Sequence, residues 1–245
     1  MRKTALVLWS LWFALVFAVG ALVSAPLNWW LPSIQPQLPP QVRLLELDGR
    51  LWQGQAKLIL PNLSGAVVVQ WRAESLLQPL KWELYHDKFQ AFGALQAHTD
   101  SAKLWIDKAR IDADTFDGVT RSQGISLSGQ PIIIERFYLD WPWTENAPSA
   151  LRGFGQWQQG EVRYPMGRVQ KQAQFSGWQI QARLTEQRPQ FVLLSATGDL
   201  LAGAKWLASQ ELEITVMPDM VEAVGQNWRG SREYPAFMMV QPLGF

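Results

Sequence analysis

From Val42 onward the chain is cut into strand-sized pieces, and no helical period competes with them over most of that length. Lys81-Trp82-Glu83-Leu84-Tyr85 alternates cleanly. Trp82 and Leu84 would face one side and Lys81, Glu83 and Tyr85 the other, as in a sheet with one sheltered face. Strand-sized pieces recur at 89–98, 102–115, 123–127 and 131–139, punctuated by Gly93, Asp117-Gly118 and Gly129. Further ones follow at 169–184, 190–197, 200–208 and 210–217. Short strands separated by turn residues predict a mainly β, predominantly antiparallel fold. The one helical turn expected inside this region is Ala73 to Gln78, closed off before Pro79.

The pattern breaks at Trp141-Pro142-Trp143 and Glu145-Asn146-Ala147-Pro148, which suggests a join between two related halves, 42–140 and 153–245. Two glycine–tryptophan stretches support that division. Leu47-Asp48-Gly49-Arg50-Leu51-Trp52-Gln53-Gly54-Gln55-Ala56 opens the first half, with Asp48-Gly49 as the turn signal of a hairpin. Gly153-Phe154-Gly155-Gln156-Trp157 and Gly160-Glu161-Val162-Arg163-Tyr164 open the second and loosely echo it. Phe191-Val192-Leu193-Leu194 is apolar on both faces, while Glu211 to Val216 alternates and should keep one face wet. Phe237-Met238-Met239-Val240 reads as a last strand or, less often for such a run, a contact surface.

Ahead of the sheet the chain reads as delivery. Thr4 to Ala25 is uncharged and mostly apolar. As a helix its roughly 22 residues would be about 33 Å long, enough to span a bilayer core. Arg2 and Lys3 precede it and no charge follows until Arg43, so residues 1–25 are expected to be a cytoplasmic tip and transmembrane anchor with the rest translocated. Trp29 and Trp30 would lie at the outer interface. A cleaved signal peptide is the rival reading, with small residues at Val23-Ser24-Ala25 but Pro26 just after them. Residues 26–41, with prolines at 26, 32, 36, 39 and 40, are expected to form an extended spacer, leaving 42–245 as the folded domain.

Composition narrows the function. Fourteen tryptophans and a 48% apolar content exclude a disordered chain. Setting Arg2 and Lys3 aside leaves 20 basic against 21 acidic residues with no basic block, so nucleic acid is not an expected partner. There is no cysteine, which excludes disulfides, thiolate metal sites and a cysteine nucleophile.

A search for chemistry finds no constellation. His86 and His98 lack metal-type spacing. Ser126, in Gly124-Ile125-Ser126-Leu127-Ser128-Gly129, lacks the glycine two positions on that a nucleophile elbow needs. Asp112-Ala113-Asp114-Thr115-Phe116-Asp117-Gly118 has the start of a calcium loop but Phe116 at its fifth position and Gln123 at its twelfth. No catalytic residue, metal ligand or cofactor is expected.

The pattern Gly49-x-Leu51-Trp52-x-Gly54-x-Ala56 resembles the start of the periplasmic domain of the type II secretion system protein N family. The resemblance continues through Trp71 in Gln70-Trp71-Arg72, Trp82 in Leu80-Lys81-Trp82, Gly155, Trp157, Gly160 and Tyr164, and Gly225, Trp228 and Gly230. Gln159 departs from it, standing where similar proteins tend to carry a second glycine. The resemblance implies an inner-membrane accessory component of type II protein secretion. Its curved β-sheet domain would act in the periplasm through contacts with other inner-membrane or periplasmic parts of the apparatus. A distant similarity to AsmA-like proteins implies the alternative, a lipid-binding module.

Overall fold

The computed structural model describes residues 24–39, 41–61, 63–75, 78–120, 124–145, 147–167, 169–209 and 211–242. Fourteen strands are found among them, every pairing of described register is antiparallel, and the chain divides into two compact units, Met1–Leu80 and Lys81–Phe245. Nearly all of the expected anchor lies outside the described residues. No helix among those described is long and apolar enough to cross a membrane.

In the first unit the expected extended spacer is replaced by helical turns at Leu27–Trp30, Leu31–Ile34 and Gln35–Gln37. Pro32 and Pro36 stand in the first turn of their segments, where a missing N–H costs nothing and the fixed φ suits a helix. The sheet then runs β1 (Arg43–Arg50), β2 (Gln53–Ile59) and β3 (Val67–Arg72). The hairpin turn is Leu51-Trp52, not Asp48-Gly49, because Gly49 is still paired with Gly54 and Arg50 with Gln53. The helical turn expected over Ala73–Gln78 is not formed in its described residues, which bend without helix. Leu47, Ala56 and Val67 are buried.

The second unit begins with β4 (Leu80–His86), β5 (Phe89–Ala97) and β6 (Ser101–Ile111). It continues through β7 (Ser126–Gly129), β8 (Ile132–Pro142), β9 (Ala150–Met166) and β10 (Val169–Thr185). β11 (Arg188–Leu194), β12 (Leu200–Trp206), β13 (Glu211–Val216) and β14 (Phe237–Pro242) complete it. Apart from β7, these strands are neighbours in sequence order. β8 pairs with the first part of β9 and β7 with the second, both running the same way in one continuous register, the chain bending at Gln130 between them. The Trp141–Pro148 break joins the paired strands β8 and β9 within this unit. The strand expected over 102–115 ends at Ile111, and a 3-10 turn takes Ala113–Phe116.

One face of this sheet is apolar from strand to strand. Pairing sets Ile134 beside Gly155, Gly155 beside Ile180, Ile180 beside Leu193, Leu193 beside Ala202 and Ala202 beside Val216. Its best-sheltered part is a cluster of Ala113, Ile132, Trp157, Trp178 and Leu201, over which Met220 and Ala223 of the short helix Pro218–Ala223 pack. That helix ends by the rules for a glycine cap. Gly225 has φ +79°, its N–H reaches the Glu222 carbonyl and that of Gln226 reaches Val221.

The same face is concave. Trp141 on β8 and Trp206 on β12 are four strand spacings apart, about 19 Å in a flat sheet, yet their ring centroids are 6.1 Å apart. The sheet curls toward its apolar side.

Leu201 is 1% exposed and its neighbour Leu200 38%. Leu201→Ala is expected to cost about 2–5 kcal/mol of unfolding free energy and Leu200→Ala under about 0.5 kcal/mol, read by urea denaturation followed through tryptophan fluorescence.

Candidate functional site

The motif residues are the positions on which a site would be expected. They hold backbone together. Trp71 stands opposite Gly54 across β2 and β3, and its ring occupies the space of the missing side chain, with Cζ2 2.6 Å from where a Cβ would sit. Its indole N–H donates to the Leu51 carbonyl at 3.0 Å, tying the hairpin tip to β3, and the Ala73 N–H reaches the Trp52 carbonyl. Gly49 has φ +96° and no room for a side chain, the carbonyl oxygen of Gln53 being 2.4 Å from its Cβ position. Arg50 lies over the Trp52 ring at 5.8 Å.

The second motif repeats the contact in a different setting. Gly160 is in the middle of β9, not at a turn, and Phe175 stands opposite it on β10 with Cζ 2.2 Å from the Cβ position. Trp157 closes the other side at 2.7 Å and donates its N–H to the Gln130 carbonyl at 2.9 Å, fixing the corner between β7 and β8. Trp157, Phe175 and Trp178 form one aromatic cluster, with Phe175 stacked on Trp178 and Trp157 edge-on to both. Gln159 accepts from Gln130 twice, its carbonyl from the Gln130 N–H and its side-chain oxygen from the Gln130 side-chain amide at 3.2 Å. Gly155 sits 3.2 Å, by its Cβ position, from the Ile133 carbonyl.

The last two motif groups meet. Tyr164 donates its hydroxyl to the Val224 carbonyl at 2.9 Å and accepts from the Gln226 side chain at 2.6 Å, so β9 holds the residues on either side of Gly225. Trp228 folds over Gly230 and donates to the Ser231 carbonyl. The Trp82 N–H is buried without a partner among the described residues.

The residues weighed for chemistry stay apart. His86 accepts the Lys88 N–H at Nδ1 and stacks on Phe89. The His98 carbonyl receives the Trp143 indole N–H. Ser126 opens β7 opposite Arg163. Around the calcium-like stretch, Asp112 pairs with Arg110 at 3.0 Å, Asp114 with Lys88 at 2.9 Å, and Asp117 accepts the Leu127 N–H. Among the described residues no three acidic or histidine side chains come together as a metal set.

Among the described residues three groups titrate away from their ordinary values. Burial and then the Asp140 carboxylate push the Tyr138 phenol up. The Lys205 ammonium, hydrogen-bonded to Glu186, holds that carboxyl down. Asp199 is held down by the hydroxyls of Thr197 and then Ser195 in the turn between β11 and β12.

Two apolar surfaces are left open among the described residues. The concave apolar face is one. The other is β14, the last strand of the second unit, where Phe237, Met238, Met239 and Val240 are all between 38% and 54% exposed. Of the two readings of this run, a last strand or a contact surface, the strand is formed, and its side chains are uncovered. No protein-family model matches the chain, and no curated protein or solved structure matches it either.

Gly54→Ala and Gly160→Ala should each cost about 1–3 kcal/mol, and Trp71→Phe, which keeps a ring but loses the N–H, about 0.5–1.5 kcal/mol, by denaturant unfolding. For Asp199 the lowered folded pKa places its contribution above the unfolded carboxylate pKa and removes it as pH falls through the folded value. Thr197→Val should therefore move the Asp199 titration upward, toward an ordinary carboxylate, in a carbon-detected NMR titration.

Proposed function

We propose that this chain is an accessory inner-membrane component of the type II protein secretion system, acting in the periplasm through protein contacts. The sequence resemblance suggests the apparatus, and the observation that carries the mode of action is β14. An outermost strand offers unpaired main-chain groups, and four consecutive exposed apolar side chains beside them favour another protein over water. The motif residues agree with this division of labour, since they are spent on the sheet's own turns and corners.

A second reading is favoured by the curl between Trp141 and Trp206. A concave face lined by Leu139, Leu151, Leu184 and Ala204 could shelter an acyl chain, as expected of an AsmA-like lipid-binding module.

Photocrosslinkers placed at Met238 and Val240, in cells with an active type II apparatus, are expected to capture inner-membrane or periplasmic secretion proteins. Charged residues at the same positions should reduce secretion. Unchanged secretion on deletion of the chain would overturn the assignment. Crosslinks from Leu139 and Phe191 to lipid alone, with co-purified lipid in native mass spectrometry, would establish the second reading in its place.

A further inference from the structure

Two irregularities lie side by side in the second unit. Between β5 and β6 the register slips at Phe92 and Gly93, which leaves Asp107 as an extra residue. Between β8 and β9 it slips from Glu135 to Tyr138, so Arg136 and Phe137 together stand against Gly153. Because β6 and β8 pair regularly through this point, Lys108 with Glu135 and Ile106 with Phe137, the extra Asp107 and Arg136 fall opposite one another. A bulge bends its strand and increases the local twist, and two bulges in register crease the sheet. The crease is an open groove of about 890 Å³.

Arg136 has φ +53°. Among the described residues the other two non-glycine positions with positive φ, Glu186 and Gln187, form the two-residue turn between β10 and β11, where a left-handed pair is what such a hairpin requires. Arg136 is different: it lies inside a strand, at a bulge position that glycine fills without strain. Strained backbone of this kind clusters at functional sites. The arginine side chain is exposed and has no ion pair among the described residues.

Around it the groove has a defined chemistry. Trp105, Tyr138 and Arg152 are consecutive cross-strand neighbours, with the Trp105 and Tyr138 rings 5.5 Å apart and the Arg152 guanidinium 5.6 Å from the Tyr138 ring. Three cations, Lys103, Arg136 and Arg152, outnumber the one lining acid, Asp107. Lys103 is only loosely engaged, 4.0 Å from Asp140. Planar guanidinium groups suit a phosphate, and aromatic faces beside them suit a ring with apolar faces. Asp107 and Gln96 add acceptors that a bare anion would not use but hydroxyl groups would.

We propose that this crease binds a phosphorylated sugar, with Arg136 and Arg152 on the phosphate and Trp105 and Tyr138 against the sugar ring. The strain at Arg136 is then the cost of aiming a guanidinium into the groove.

Isothermal titration of the full chain with glucose 6-phosphate, glucose and inorganic phosphate tests this. The sugar phosphate is expected to bind at least about tenfold more tightly than either of the others. Arg136→Gly should weaken it about tenfold or more while leaving the thermal midpoint unchanged or raised, because glycine relaxes the bulge. Arg152→Gln should weaken it with the fold intact by circular dichroism. No heat with glucose 6-phosphate, equal binding of inorganic phosphate, or an Arg136→Gly protein that binds normally or melts earlier would each overturn the proposal.

Discussion

The contact on which the sheet depends is an aromatic ring laid on the glycine opposite it in the neighbouring strand. Trp71 covers Gly54, Phe175 covers Gly160, and Phe137 covers Gly153, with ring atoms 2.2–2.6 Å from the position a Cβ would take. A glycine in a strand weakens it by its freedom and its lack of a side chain to pack. A ring lying across it returns apolar contact to the same spot, and brings the indole or phenyl edge within reach of backbone it could not otherwise touch. Trp71 uses that reach to hold the Leu51 carbonyl, and Trp157, against the far side of Gly160, to hold that of Gln130. Both carbonyls belong to places where the chain changes direction. The glycines and tryptophans of the sequence are therefore one device, and neither residue type explains the other's position alone.

From these points the rest of the second unit follows. Holding the bend at Gln130 keeps β7 and β8 in one register along β9, and β9 and β10 are the longest strands among the described residues, 17 residues each. The aromatic cluster at Trp157, Phe175 and Trp178 then becomes the centre of the core, and the helix Pro218–Ala223 lies over it. Tyr164 reaches from β9 to the end of that helix. Away from this cover the same face continues as Leu139, Leu151, Phe191 and Ile214, and the curl that brings Trp141 to Trp206 shields part of it.

Much of this was legible in the residues. The strand-sized pieces and their antiparallel order follow from alternation and turn composition, which are local. What was not legible depends on partners distant in sequence. Asp48-Gly49 has turn composition, yet the turn is set by the pairing of Gly49 with Gly54. Gly160 resembles a turn glycine until Phe175 is known to lie across it. The prolines after Pro26 are compatible with an extended chain or with the first turn of a helix, and their spacing alone does not decide. The bulges did leave a signal. Along β8 the apolar run Ile132-Ile133-Ile134 gives way, across the charged pair Glu135-Arg136 where the extra residue lies, to Phe137, Leu139 and Trp141 on odd positions. β6 changes phase in the same way at Asp107-Lys108, from Leu104 and Ile106 to Ala109 and Ile111.

The two outermost strands are treated differently, and the difference bears on function. β1 carries Arg43, Glu46, Asp48 and Arg50, has an irregular register between Leu44 and Glu46, and has its Leu44 N–H taken by the Gln35 side chain at 3.1 Å. Charge, irregularity and a covering segment are the means by which sheets discourage pairing with other chains. β14 differs in two of these respects: Phe237 to Pro242 contains no charged residue, and its register with β13 is regular. A strand with uncovered apolar side chains would promote indiscriminate association if it stayed bare. The contrast between β1 and β14 therefore lies in charge and register: the first carries charged residues and a register shift, the second carries neither.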